Sequence, residues 1–115
     1  MSPLKGLEAA LKYIRKEVSE DMPIRHLEIL LYIHRKGEVS VLHLVKDLEI
    51  PKSAVSLAVR RLSQFEERNK DGNLELKGLG LLDKERDLEV QTLVRIKLTP
   101  EGQRIVDGLQ EIFRG

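Results

Sequence analysis

The chain has no cysteine and no tryptophan, only two tyrosines and two phenylalanines, and four prolines in 115 residues. Without cysteine there is no disulfide and no thiolate metal site, which fits a reducing compartment. With aromatics at 3%, the core must be built mostly from Leu, Ile and Val. No apolar run approaches the roughly 20 residues of a membrane span. The opening MSPLKGLEAALKYIRKEV holds no apolar run of signal-peptide length. These absences lead to the expectation of a soluble, cytoplasmic protein with no membrane partner. Enzyme signatures are missing too: there is no nucleophile elbow, no Walker loop and no zinc spacing. GLGLLD opens like a dinucleotide turn but lacks the third glycine and a preceding apolar strand. His26, His34 and His43 are not spaced as metal ligands and read as ordinary core or surface histidines. A grouping of His26 with Glu17 and Glu28 is conceivable on paper, but nothing in the spacing demands it. No catalytic residue, cofactor or metal is expected.

The apolar fraction of 41% supplies a modest core, and 34% charged residues supply a well-solvated surface. The length fits one domain over 1–115. The net charge of +1 hides an uneven distribution. Residues 51–70 hold five bases (Lys52, Arg60, Arg61, Arg68, Lys70) against two acids, Glu66 and Glu67. Residues 37–50 hold one base against three acids. A local basic patch matters more to a polyanionic partner than the whole-chain sum.

Periodicity sets the order of elements. Leu4, Leu7, Leu11, Ile14 and Val18 recur at steps of three and four, one narrow seam of a helix. Two readings stay open for it: packing on its own domain, or a helix-to-helix dimer contact. A second helix follows SEDMPI, with Asp21 as cap and Pro23 in the first turn, and carries Ile24, Leu27, Leu30, Leu31 and Ile33. It stops at RKG, bases then Gly37. Ser40 is placed to cap a short third helix burying Leu42, Val45 and Leu48 or their neighbours. After a tight EIP connection, a fourth helix runs from about Lys52 to at least Gln64, burying Val55, Ala58, Val59 and Leu62. NKDGN signals a turn at Asp71-Gly72. Two strands, about 81–86 and 92–98, are expected to pair as a hairpin around DLEVQ. Thr99 then caps, and Pro100 opens, a last helix with Ile105, Val106, Leu109, Ile112 and Phe113 on its apolar face.

Two short helices joined by a tight turn, with basic and hydroxyl residues on the second, make a helix-turn-helix. Leu44, Leu48 and Val55 brace the pair, and Ile50 plugs the angle between them. The short side chains Ser53, Ala54 and Ser56 allow close approach of the backbone to a major groove about 12 Å wide. Lys52, Arg60 and Arg61 would neutralise phosphates or reach a guanine edge. The hairpin then reads as a wing with Lys84, Arg86, Arg95 and Lys97 as bases, interleaved with Asp83, Glu85, Asp87 and Glu89. The fold class expected is mostly α with a β-hairpin wing.

The run HLEILLYIHRKGEVSVLHLVKDLEIPKSAVSLAVRRL, then GLLDKER, then VRIKLTPEGQRIVDGL resembles the winged-helix core of the MarR family of transcription regulators, over roughly residues 24–110. LTPEG (98–102) and SAVSLAVRRL (53–62) are its most specific parts. The resemblance implies a dimer on palindromic double-stranded DNA, joined through N-terminal (1–20) and C-terminal (99–115) helices around a 24–98 core. By position it places Ser53, Ala54, Ser56 and Arg60 toward the groove and Arg86 and Arg95 on the wing. The chain departs from the pattern in several places. Leu57 replaces a basic or polar residue, and Glu49 a small turn residue. VQT stands for an Asp-Arg-Arg wing tip, and FEERNKDGNLELKG adds about a dozen residues before the wing. This is a compact, atypical resemblance, and the residues leave an effector ligand open. The leading expectation is a dimeric DNA-binding repressor. The alternative is a winged-helix protein–protein module, favoured by Leu57 and the near-neutral charge.

Overall fold

A computed structural model describes residues 2–86 and 94–114. The expected wing tip at DLEVQ, with Asp87, Glu89 and VQT, lies outside them. The described residues form α1 (Pro3–Glu17), α2 (Ile24–Lys36), β1 (Glu38–Ser40), α3 (Val41–Leu48), α4 (Lys52–Leu62), β2 (Phe65–Arg68), β3 (Leu74–Lys77), β4 (Leu82–Arg86), β5 (Val94–Leu98) and α5 (Pro100–Arg114).

Helix α2 runs through the centre. Ile29, Leu30 and Ile33 have no exposed surface, and burying such side chains favours folding by about 1.5–3 kcal/mol each. Leu31 and Ile24, expected on the same face, are largely exposed. Asp21 does not cap α2. Pro23 itself is the N-cap residue, in extended geometry, and its carbonyl accepts from the His26 and Leu27 amides at 3.0 and 3.3 Å. Gly37 ends the helix at φ 91°, as the RKG signal predicts.

The segment EVS, unassigned from the sequence, is a strand. It pairs antiparallel with β5, Val39 opposite Ile96, giving a three-stranded sheet in the order β1-β5-β4. Ser40 then caps α3 as expected. Its Oγ accepts from the His43 amide at 3.3 Å, and the Ser40 amide donates to His43 Nδ1 at 3.2 Å. This reciprocal box satisfies two backbone donors at the helix start. On α3 it is Leu44 that is fully buried; Val45 and Leu48 are half-buried and Leu42 is exposed.

Helix α4 buries Val55, Ala58, Val59 and Leu62, the four positions the periodicity selects. It ends at Leu62, short of the expected Gln64. The chain after β3 returns across its C-terminus: Leu79 and Leu81 amides donate to the Arg61 and Leu62 carbonyls at 3.0 and 2.7 Å. Those bonds satisfy helix-end acceptors that a further turn would otherwise need. Gly78 makes the crossing feasible. Its φ is 93°, and a Cβ there would lie 1.9 Å from the Ser63 carbonyl oxygen. This is the role of the first glycine in GLGLLD; the second, Gly80, is there for its positive φ of 68°.

The extra residues before the wing do not lengthen α4. They fold as a separate antiparallel hairpin, β2–β3, with Phe65 opposite Lys77 and Arg68 opposite Leu74. Asn69 Oδ1 organises its turn by accepting from the Asp71 and Asn73 amides at 2.9 and 3.0 Å.

The LTPEG motif is a junction. Thr99 Oγ1 donates to the Gly80 carbonyl at 2.7 Å and accepts from the Gly102 amide at 3.0 Å, so it caps α5 as predicted and ties it to the start of the wing. A Cβ on Gly102 would come within 2.2 Å of the Leu81 carbonyl oxygen. Ile105, Val106 and Leu109 of α5 enter the core. α1 packs on α5 through Gly6, Ala10 and Ile14, with the Tyr13 hydroxyl donating to the Ile105 carbonyl at 3.2 Å. The leucine seam of α1 mostly faces out: Leu4, Leu7 and Leu11 are 77%, 49% and 47% exposed.

Two substitutions test these joints. Gly102→Ala forces backbone apart at the α5–wing junction and is expected to destabilise by about 1–3 kcal/mol. Ser40→Ala removes the α3 cap and is expected to lose about 0.5–2 kcal/mol. Urea unfolding of both variants checks the values.

Candidate nucleic-acid interface

The tight turn between α3 and α4 is Glu49-Ile50-Pro51. Glu49 adopts the left-handed conformation at φ 55°, a geometry a smaller residue would take with less strain. Ile50 is 5% exposed and fills the angle between the two helices, as its position predicts. With Val55, Ala58, Val59 and Leu62 committed to the core, helical geometry turns Ser53, Ser56, Leu57 and Arg60 the other way. All four are exposed. Lys52 is also exposed at the helix start, where Pro51 provides no capping side chain. The first amides of α4 therefore have no side-chain acceptor, the arrangement that favours an anion.

Two of the expected contact residues stand off this face. Ala54 is half-buried on the flank and packs against the core. Arg61, seven residues on and so on the same flank of the helix, is exposed beside a cleft of about 370 Å³ that it lines together with His26, Phe65 and Lys77. His26 is buried, and its basicity is lowered first by burial and then by the nearby Arg61 charge.

Arg60 has partners the sequence reading missed. Its guanidinium lies over the Phe65 ring, 4.0 Å from the centroid, and its Nη2 donates to Glu67 Oε2 at 3.4 Å. Glu67 also meets Lys77 Nζ at 3.6 Å. Both contact residues for Arg60 belong to β2, so the inserted hairpin stands against the C-terminal half of the outer face. The alternation of Phe65 and Glu67 in FEER was the available signal, obscured by the expectation that α4 continued.

On the wing, the register separates the bases. Lys97 is paired with Glu38 on β1 and Asp83 on β4; Arg95 is paired with Ser40 and Glu85. Arg95 Nη1 also lies 3.7 Å from Glu38 Oε2. Directly opposed residues share a sheet face, so this face carries matched acids and bases. Lys84 stands opposite Ile96 and is exposed; Arg86 ends β4 opposite Val94.

Behind α4, the Tyr32 hydroxyl donates to the Asp47 carboxylate, linking α2 to α3. That bond raises the Tyr32 phenol and lowers the Asp47 carboxyl from their usual ranges. Among the described residues there is no cluster of three His, Cys, Asp or Glu fit for a metal, and no helix long and apolar enough to cross a membrane.

At the level of sequence, the chain matches no protein-family model and no curated protein. Solved structures resemble it in fold. A mutant of MepR from S. aureus, bound to an oligodeoxyribonucleotide, superposes with TM-score 0.71 at 19% identity, over 96% of this chain and 70% of that one. MarR gives 0.63 at 20% identity, over 98% and 77%. A MepR-like protein complexed with pseudoligands gives 0.62 at 18% identity, over 94% and 65%, so the present chain spans just under two thirds of it.

The buried His26 yields a pH test. Its folded form holds a proton less tightly than its unfolded form, so the unfolded state is protonated first as pH falls. Stability is complete above the ordinary histidine value of about 6.5 and declines as pH drops through it toward the depressed folded value. The thermal midpoint is expected to fall between about pH 7.5 and about pH 5.5, with a shallower fall in His26→Gln. Equal slopes in the two proteins would remove His26 from the account. The fold is a winged helix similar to that of MarR and MepR, with the outer face of α4 exposed.

Proposed function

We propose that the chain is a sequence-specific, dimeric, cytoplasmic DNA-binding regulator of transcription that represses by occupying a promoter. The observation that carries this reading is the outer face of α4. Ser53, Ser56, Leu57 and Arg60 are exposed, Arg60 with the β2–β3 hairpin beside it, on a helix whose other side is anchored in the core. The mechanism is occupancy. Two α4 helices enter successive major grooves about 34 Å apart on a pseudo-palindrome, and Lys52 and the uncapped α4 amides take phosphates. Ser53 and Ser56 approach base edges; Lys84, Arg86 and Arg95 of the wing meet the flanking backbone. Arg61 contributes at long range from its flank. The oligodeoxyribonucleotide bound to the mutant MepR, a protein of the same fold, supports this reading.

Dimerisation rests on an open apolar groove of about 830 Å³ between α1, α2 and α5, lined by Leu7, Leu11, Leu31 and Phe113 among others. These are large apolar side chains at 43–54% exposure, gathered on one surface. Single exposed leucines are common, but a contiguous patch marks a partner. A second copy would cover it through the two terminal helices.

A protein–protein module is the second reading, and Leu57 favours it. This residue lies centrally on the outer face, 49% exposed and unable to hydrogen-bond a base. Selection from a random duplex pool separates the two. The expected product is a pair of symmetric half-sites, with affinity falling steeply between about 50 and 200 mM salt. Arg60→Ala is expected to cost about 1–3 kcal/mol of binding if it reads a base. No duplex bound at about 50 mM salt by a folded protein favours the protein-partner reading. In sedimentation velocity, Leu7→Glu with Leu11→Glu is expected to convert a dimer into a folded monomer; an unchanged dimer would place the contact elsewhere.

A further inference from the structure

The inserted hairpin touches the proposed interface at one residue. Arg60 lies on the outer face of α4, its guanidinium stacked over Phe65 and its Nη2 held by Glu67. Arg60, Glu67 and Lys77 retain 54%, 45% and 46% of their side-chain exposure, so the cluster is open to solvent and to an incoming polyanion. We infer that Glu67, with Phe65, gates Arg60: the β2–β3 hairpin supplies an internal anion that competes with nucleic-acid phosphate for the guanidinium and so suppresses sequence-independent binding. The inference rests on the DNA-binding reading and adds a specificity-determining residue to it.

The physical basis is a difference between two contacts. A backbone phosphate drawn to Arg60 must displace the Glu67 carboxylate or sit beside it, and like charges at such spacing oppose each other. A guanine edge carries no formal charge and meets a guanidinium through two parallel hydrogen bonds. Glu67 therefore penalises the contact available at every base pair more than the one available at selected base pairs. Phe65 holds the guanidinium over its ring, 4.0 Å from the centroid, beside the Glu67 carboxylate to which Nη2 donates. Lys77 Nζ lies 3.6 Å from the other carboxylate oxygen of Glu67, Oε1.

The experiment measures binding to a labelled random-sequence duplex across a salt series for the wild type, Glu67→Gln, Arg60→Ala and the double variant. Glu67→Gln is at a half-exposed surface position and keeps the shape of the side chain. It is expected to tighten random-sequence binding by about two- to fivefold, the range of an exposed ion pair. The slope of log K against log salt should steepen by about 0.9, one more phosphate neutralised. Both changes should vanish in the Arg60→Ala background. Phe65→Leu should move affinity in the same Arg60-dependent sense, by less.

If Glu67→Gln tightens binding equally without Arg60, the effect is general charge removal and the gate is overturned. No change on Glu67→Gln, with wild-type binding intact, also overturns it and leaves the DNA-binding reading standing. If neither the wild type nor Glu67→Gln binds any duplex at about 50 mM salt, that reading falls and takes the gate with it.

Discussion

A helix has one face to give to a core, and the disposition of α4 follows from how completely it gives that face away. Val55, Ala58, Val59 and Leu62 are all buried, on a helix that packs against α2 and α3. Once these are fixed, the rotation of the helix is fixed, and Ser53, Ser56, Leu57 and Arg60 have nowhere to point except outward. Ile50 sets the angle to α3 by filling the space between the helices, and Leu44 backs it. The outer surface is thus a product of apolar packing on the opposite side.

The wing is joined to this frame by its two ends. At one end, the Leu79 and Leu81 amides close the C-terminus of α4; at the other, Thr99 bonds the Gly80 carbonyl and caps α5. The Leu81 region therefore contacts α4, β5 and α5 within a few residues. Two glycines, 78 and 102, sit where a side chain would collide with backbone oxygen. This explains in physical terms why an LTPEG motif has a glycine two residues after its proline: the first turn of α5 lies directly against the Leu81 carbonyl.

Much of this was legible in the sequence. The α4 stripe, the Ser40 and Thr99 caps, the Gly37 stop, the Asp71-Gly72 turn and the pairing of the wing strands all came from short-range signals that tertiary packing reinforced. What the sequence hid was decided at longer range. The strand EVS is too short to show alternation and exists because β5 offers it partners. The seam of α1 leaves two readings open, and tertiary packing decides the rotation of the helix: Gly6, Ala10 and Ile14 are buried while Leu4, Leu7 and Leu11 stay out. FEER continues a helical composition, which places the end of α4 too late and leaves the form of the residues after it open; the returning chain at 79–81 shows why the helix stops. At the candidate interface, exposure of Lys52, Ser53, Ser56 and Arg60 follows the helical period, while the flank positions of Ala54 and Arg61 and the hold of Phe65 and Glu67 on Arg60 depended on tertiary structure.

The bond from the Tyr13 hydroxyl to the Ile105 carbonyl joins positions 92 apart in the chain. During synthesis, helix 3–17 is made well before the surface it packs on. Until residues 100–114 have left the ribosome, Ala10 and Ile14 have no α5 to cover them, and the leucines beside them are bare as well. Until then the nascent chain carries an unpaired apolar helix, a state in which docking onto another such helix competes with docking onto its own.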